Sequence, residues 1–203
     1  MNKKSLQIEI VIVLILMLSL VFLLLGRQSN KAYASKQNQV ITPKFTKIDA
    51  DVSNVNIKVQ EGSNYEVIFK RCKKIDAKVE KNTLYLKKAE TSIHISMNIF
   101  DLFKRKAKPI IIIVLPKKEL ADMSVTNSNG SIKIRDIVVN QGEIDSSNGD
   151  IVIEHGNAQG YDLLTSNGHV IVNGKDNGNY YENNSDANRL LSITNSNGNI
   201  VIN

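Results

Sequence analysis

The sequence predicts an all-β fold: a β-solenoid, or β-helix-like stack of coils of about 19 residues, preceded by an antiparallel β region and an N-terminal transmembrane helix. Three observations carry that expectation. A ten-residue segment beginning at Val125 returns at Ile144, Leu163 and Ile193, each time with Ser-Asn-Gly at its centre, and its glycines Gly130, Gly149, Gly168 and Gly198 stand 19, 19 and 30 residues apart. Apolar residues alternate after each glycine, so Ile132/Ile134, Ile151/Ile153, Val170/Val172 and Ile200/Ile202 share one face of a strand. Finally, an apolar run from Ile10 to Leu25, broken only by Ser19, stands near the N-terminus.

That run defines residues 1–27 as a transmembrane signal anchor. With Leu6 and Ile8 it reaches about 20 residues, enough to span a hydrocarbon layer of ~30 Å. Ala32-Tyr33-Ala34 presents an alternative, cleavage after Ala34 and secretion of the remainder, against which stand the charges of Arg27 and Lys31. Lys3 and Lys4 on one side face Arg27, Lys31 and Lys36 on the other, so charge does not fix orientation. A short N-terminal tail normally stays inside, which makes the protein single-pass in the cell membrane with its C-terminal domain extracytoplasmic. Residues 28–43 are a polar tether, and residues 44–203 form the β domain.

The antiparallel region begins near Phe45. Val52, Val55, Ile57 and Val59 precede an Glu61-Gly62 turn, and Tyr65 to Phe69 is the returning strand. Asp51 to Val59 resembles a degenerate first copy of the repeat. Ile75 to Val79 and Thr83 to Leu86 flank Glu80-Lys81-Asn82 as a hairpin with outward lysines. Ile110 to Leu115 is apolar throughout, which predicts a strand buried on both faces. Between them Phe100, Phe103, Lys104, Arg105, Lys106 and Lys108 set aromatic rings beside cations, the composition of a segment contacting anionic lipid. The competing expectation is that these phenylalanines cover the open end of the stack.

In the coils, Asn129-Gly130, Asn148-Gly149, Asn167-Gly168 and Asn197-Gly198 are the turn pairs, because asparagine tolerates and glycine readily adopts left-handed backbone. Stacked asparagines can also bond along the ladder. Gly142 and Gly160 mark a second corner. The 30-residue spacing exceeds the period by 11, and the polar run Asn173 to Arg189 reads as an extruded loop. The chain stops at Asn203 directly after a strand, so an open C-terminal edge inviting a second copy is expected.

Charge and chemistry exclude several function classes. Residues 1–120 carry 22 Lys and Arg against 10 Asp and Glu, whereas residues 121–203 carry 4 against 10, which splits the chain into a basic front and an acidic stack. The lysines lack an arginine-rich helix or RNA-binding aromatic motif, so no nucleic acid is expected. One cysteine, Cys72, excludes an internal disulfide and reads as an inert strand residue. Along the repeat Asp145 aligns with Thr126, Leu164 and Thr194, and Asp150 with Ser131, His169 and Asn199, so no two acids pair as glycoside hydrolysis requires. His94, His155 and His169 have no ligand spacing, and Asp176, Glu182 and Asp186 suggest a solvated loop before a calcium site. No catalytic residue, cofactor or metal is expected, and a glycan-active enzyme is the least favoured class.

The hairpin ending in Leu84-Tyr85-Leu86, the strand closing on Leu115-Pro116 and the Ser-Asn-Gly-x-Ile-x-Ile rungs together resemble the DUF4097 group, adhesin-type membrane-anchored proteins of Gram-positive bacteria with β-strand repeats. The resemblance covers residues 45–203 and implies an extracytoplasmic β-solenoid behind an N-terminal helix. A non-enzymatic binding or scaffold protein of the cell envelope, with an envelope polymer or membrane protein as partner, is the function it implies. The alternative is an accessory modulator of a membrane-embedded envelope-stress signalling system.

Overall fold

A computed structural model describes residues 38–72, 75–88, 107–116, 119–155 and 158–203, and these contain strands and turns but no helix. The expected anchor and most of the tether lie outside the described residues. The strands before the coils are β1 (Asn38–Ile41), β2 (Lys47–Val52), β3 (Asn56–Glu61), β4 (Glu66–Lys70), β5 (Ile75–Glu80), β6 (Thr83–Lys88) and β7 (Ile110–Leu115). Then come β8 (Glu119–Leu120), β9 (Asp122–Asn127), β10 (Ile132–Arg135), β11 (Val138–Val139), β12 (Gly142–Asn148), β13 (Ile151–Glu154), β14 (Gly160–Asn167) and β15 (Val170–Val172). The last four are β16 (Lys175–Asp176), β17 (Tyr180–Asn183), β18 (Leu190–Asn197) and β19 (Ile200–Ile202).

They form two large sheets. One has nine strands in the order β1-β4-β7-β3-β10-β13-β19-β15-β16, the other eight in the order β17-β14-β18-β12-β9-β2-β6-β5. Every coil places its strand before Ser-Asn-Gly in the eight-stranded sheet and its strand after it in the nine-stranded sheet, and coils stack by parallel pairing. The alternating apolar residues therefore meet between the sheets: Ile132, Ile134, Ile144, Ile151, Ile153, Leu163, Ile193 and Ile200 are fully buried. Each such side chain contributes about 1.5–3 kcal/mol of hydrophobic stabilisation. The short parallel pair β8–β11 adds Leu120 and Val139 to the same core.

The degenerate copy is a true coil. β2 and β3 pair in register with β9 and β10, Ile57 beside Ile132 and Val59 beside Ile134. The hairpin β5–β6 turns on Lys81 and Asn82, whose φ values of 47° and 65° are the left-handed pair a two-residue hairpin needs. Phe45 is buried and meets Tyr65 edge-on, with ring centroids 5.1 Å apart, closing the core beside β4.

Five points differ from the sequence reading. The coils do not stack in chain order: β18–β19 lies between β12–β13 and β14–β15, so the coil at 190–202 separates its two predecessors. Its strands are consequently internal on both sides, and the open C-terminal edge foreseen for a second copy does not exist there. The amide of Asn203 donates to Ile153, and the carbonyl of Ile202 accepts from Asn173. Residues 173–189 are not simply an extruded loop: β16 pairs antiparallel with β15, and β17 with β14, covering the last coil in both sheets. A similar interposition occurs at the other end, where β7 pairs parallel with β3 and antiparallel with β4, so Tyr65 to Phe69 does not return along β3. Lastly, β7 is enclosed laterally, but Ile110 and Ile112 on its outer face are only half-buried.

Candidate functional site

Among the described residues the Ser-Asn-Gly corners carry a polar network that repeats from coil to coil. Parallel stacking sets equivalent residues about 4.8 Å apart, which is within reach of one amide for the next. Asn129 donates through Nδ2 to Oδ1 of Asn54 at 3.0 Å, Asn148 to Asn129 at 2.9 Å, Asn197 to Asn148 at 3.0 Å and Asn167 to Asn197 at 3.0 Å. Asn148, Asn197 and Asn167 use a second N–H on the carbonyls of Ser128, Ser147 and Ser196. Asparagine Asn54, from the degenerate copy, starts this ladder. The ladder also follows the interleaved order, running from Asn148 to Asn197 and only then to Asn167.

The turn itself belongs to glycine. Gly130, Gly149 and Gly198 have φ of 146°, 126° and 128°, whereas the asparagines before them stay out of the left-handed region. Within these turn pairs the asparagine side chains join coils, while Gly130, Gly149 and Gly198 take the positive φ. Two further columns flank the ladder. On the outer side of the bend the side-chain oxygens of Asn56, Asp150 and Asn199 accept from the backbone amides of Ser131, Asn199 and His169, each at 2.9 Å. Inside, Asn127, Ser146, Asn195 and Thr165 are buried. There Asn127 donates to Val55 and Gly130 carbonyls, Asn195 to Gly149 and Thr165 to Gly198.

The ladder fixes two outer faces. On the eight-stranded sheet, Asp145 stands between Thr126 and Thr194, and Glu143 between Ser124 and Ser192. Asp49 and Asp51 continue these rows through β2, and Asp162 through β14. This is a flat surface of carboxylates and hydroxyls whose terminal coil adds two exposed apolar groups in register, Leu164 (41% exposed) and Tyr180 (45%). On the nine-stranded sheet Lys133 and Arg135 both hold Glu154 at 2.5 Å, and these hydrogen bonds, Lys133 first, hold its carboxyl down to about 2. Beside them lies a shallow open hollow lined by Lys58, Gln60, Ser63, Arg135 and Asp136.

The remaining candidates are dispersed. His155 meets Asp136 at 2.5 Å and His169 meets Asp176 at 2.8 Å, both at exposed turns, partnerships that their separation in sequence concealed. Asp176 also accepts from the Gly178 amide, while Glu182 accepts from Ser185 and from Tyr180, the latter at 2.6 Å, so both of these acids are engaged locally. That bond pushes the Tyr180 hydroxyl up to about 12. Among the described residues no three His, Cys, Asp or Glu side chains are gathered as a metal site. Burial pushes the Cys72 thiol up, and its Sγ lies 3.2 Å from the Ile110 carbonyl oxygen. Phe100, Phe103, Lys104, Arg105 and Lys106 lie outside the described residues; Lys108 is exposed and its carbonyl accepts from Arg71 at 3.2 Å.

Comparison with curated proteins returns no match. Among solved structures, similarity extends to a putative cell adhesion protein from Clostridium sporogenes, 16% identical over 83% of this chain and 98% of that one, with a TM-score of 0.40. A putative adhesin from Bacteroides fragilis is 12% identical over 85% and 98% of the two chains, with a TM-score of 0.33. Another, from Parabacteroides distasonis, is 10% identical over 82% and 96%, with a TM-score of 0.32. The Toastrack DUF4097 family matches residues 45–175, from the buried Phe45 through the coil of β14–β15 to the start of β16, and this chain belongs to that family.

Proposed function

We propose that the protein is a non-enzymatic, adhesin-like scaffold of the cell envelope, held by an N-terminal membrane anchor with its β domain outside. It binds an envelope polymer or membrane protein through the outer face of the eight-stranded sheet. The observation that supports this reading is that face itself: Asp49, Asp51, Glu143, Asp145 and Asp162 stand in register on a sheet tied coil to coil by the asparagine ladder. Its rigidity is useful to a binding surface, since little side-chain or backbone freedom is lost on association. Fixed negative charge at regular spacing selects a cationic or hydroxyl-rich partner and speeds encounter with it.

The test has two arms. Protease added to intact protoplasts should digest a C-terminally tagged domain while the full chain remains with membranes before treatment. Full-length protein carrying Glu143→Lys and Asp145→Lys should then lose about tenfold or more in retention on isolated envelope fragments, whereas Lys58→Glu on the other sheet should not. A protected tag contradicts the location, and equal retention of both variants contradicts the binding face.

A further inference from the structure

We infer that the end of the β domain at which the chain enters it is a docking surface for an anionic lipid bilayer. This deepens the anchored reading and rests on it. Both sheets run along one stacking axis, with β1, β4, β7, β5 and β6 at one end and β14 to β17 at the other. At the first end Arg71, Lys78, Lys81, Lys87, Lys88 and Lys108 are all exposed. Acids on the same strands are fewer, namely Glu66, Asp76 and Glu80, of which Glu80 is paired with Lys78. At the far end the balance reverses, with Asp162, Asp176 and Glu182 on β14, β16 and β17 against Lys175. The domain is therefore polarised along its stacking axis, and a negative surface will attract one end and repel the other.

Local geometry holds the cations in place. Lys87 extends over the ring of Tyr85, its Nζ 5.8 Å from the centroid. Arg71 donates to the carbonyl of Lys108, which fixes the end of β4 against the start of β7 and brings two cations together. Apolar groups accompany them: Val40 on the edge strand β1 is 39% exposed, and Ile75 and Val79 on the opposite edge β5 are half-buried although they point toward the core. Cations around partly uncovered aliphatic side chains match the phosphodiester and upper acyl layers of a bilayer. The first described strand, β1, lies at this same end, paired with β4.

The experiment uses the full chain reconstituted into vesicles of phosphatidylcholine alone, or of equal parts phosphatidylcholine and phosphatidylglycerol. Flotation reports membrane attachment, and amine acetylation read by mass spectrometry reports orientation. Lys78, Lys81, Lys87, Lys88 and Lys108 should be acetylated about threefold or more slowly in the anionic vesicles, relative to Lys133 and Lys175, and high salt should remove the difference. Lys87→Glu with Lys88→Glu should restore acetylation of Lys78 and Lys108 without lowering the melting temperature by more than a few degrees. Equal acetylation in both vesicles, with the protein floating, overturns the lipid-facing end and leaves the anchor standing. Failure to float overturns both. Protection by a soluble phosphodiester polymer, without protection by anionic vesicles, assigns the end to a polymer and overturns the lipid proposal.

Discussion

A Cβ added at Gly149 would stand 2.6 Å from the Gly130 carbonyl oxygen, at a φ of 126° that side chains rarely adopt. Gly149→Ala should therefore cost about 3 kcal/mol, from strain and from displaced coils. Gly178→Ala meets nothing within 4 Å at a φ of 76° and should cost about 1 kcal/mol. Equal losses in denaturant titrations of the two variants would show that coil approach is not the cause. The inner polar column contains a gap: Asn127 Oδ1, Ser146 Oγ and Asn195 Oδ1 are buried without partners. Ser146 pairs in register with both Asn127 and Asn195, and its hydroxyl makes no hydrogen bond, whereas Asn127, Asn195 and Thr165 in the same column each donate to a corner carbonyl. Ser146→Asn should therefore raise stability by about 1 kcal/mol, and a lowered melting temperature would contradict the column. At this scale the corners and the asparagine ladder were legible in sequence. The division of labour was not, because Asn and Gly both favour turns and only neighbouring coils decide which residue takes the left-handed backbone.

Elements were legible wherever period and burial agree. Alternation located β10, β13, β15 and β19, and their inward residues are buried as expected. The outer face of β19 gives a direct contrast: Ile200 is fully buried, whereas Val201 stands half-exposed between Val152 and Ile171. Ile200→Thr should cost about 2–4 kcal/mol and Val201→Thr about 0.5 kcal/mol or less in chemical unfolding. A reversal of that order would place the wrong face inward. The strands of 173–189 escaped notice because two- and four-residue strands of Lys, Asp, Tyr, Glu and Asn carry no apolar alternation. Their pairing is dictated by the edges of β14 and β15, which is tertiary information.

The interleaved coil order emerges only in the whole molecule. The four Ser-Asn-Gly coils carry the same asparagine, glycine and apolar columns, so any of them can stack on any other in the same register, and local sequence holds no preference for a neighbour. The extra 11 residues before Gly198 were the sequence signal, and their effect is to carry the chain across the last coil's edges before it turns back. That arrangement covers the coil of β14–β15 with β16 and β17, leaves β18–β19 paired on both sides, and concentrates acid away from the lysine-rich end. The ladder Asn54–Asn129–Asn148–Asn197–Asn167 depends on it. Disulfide formation between cysteines introduced on the outer face, with Cys72 replaced by serine, tests this order most directly. Val152 and Val201 are register partners, so their Cα atoms are about 4.8 Å apart, inside the range a disulfide spans, while Val152 and Ile171 are separated by an intervening strand. The account predicts that Val152→Cys with Val201→Cys oxidises readily and that Val152→Cys with Ile171→Cys does not; ready oxidation of the second pair alone would contradict it.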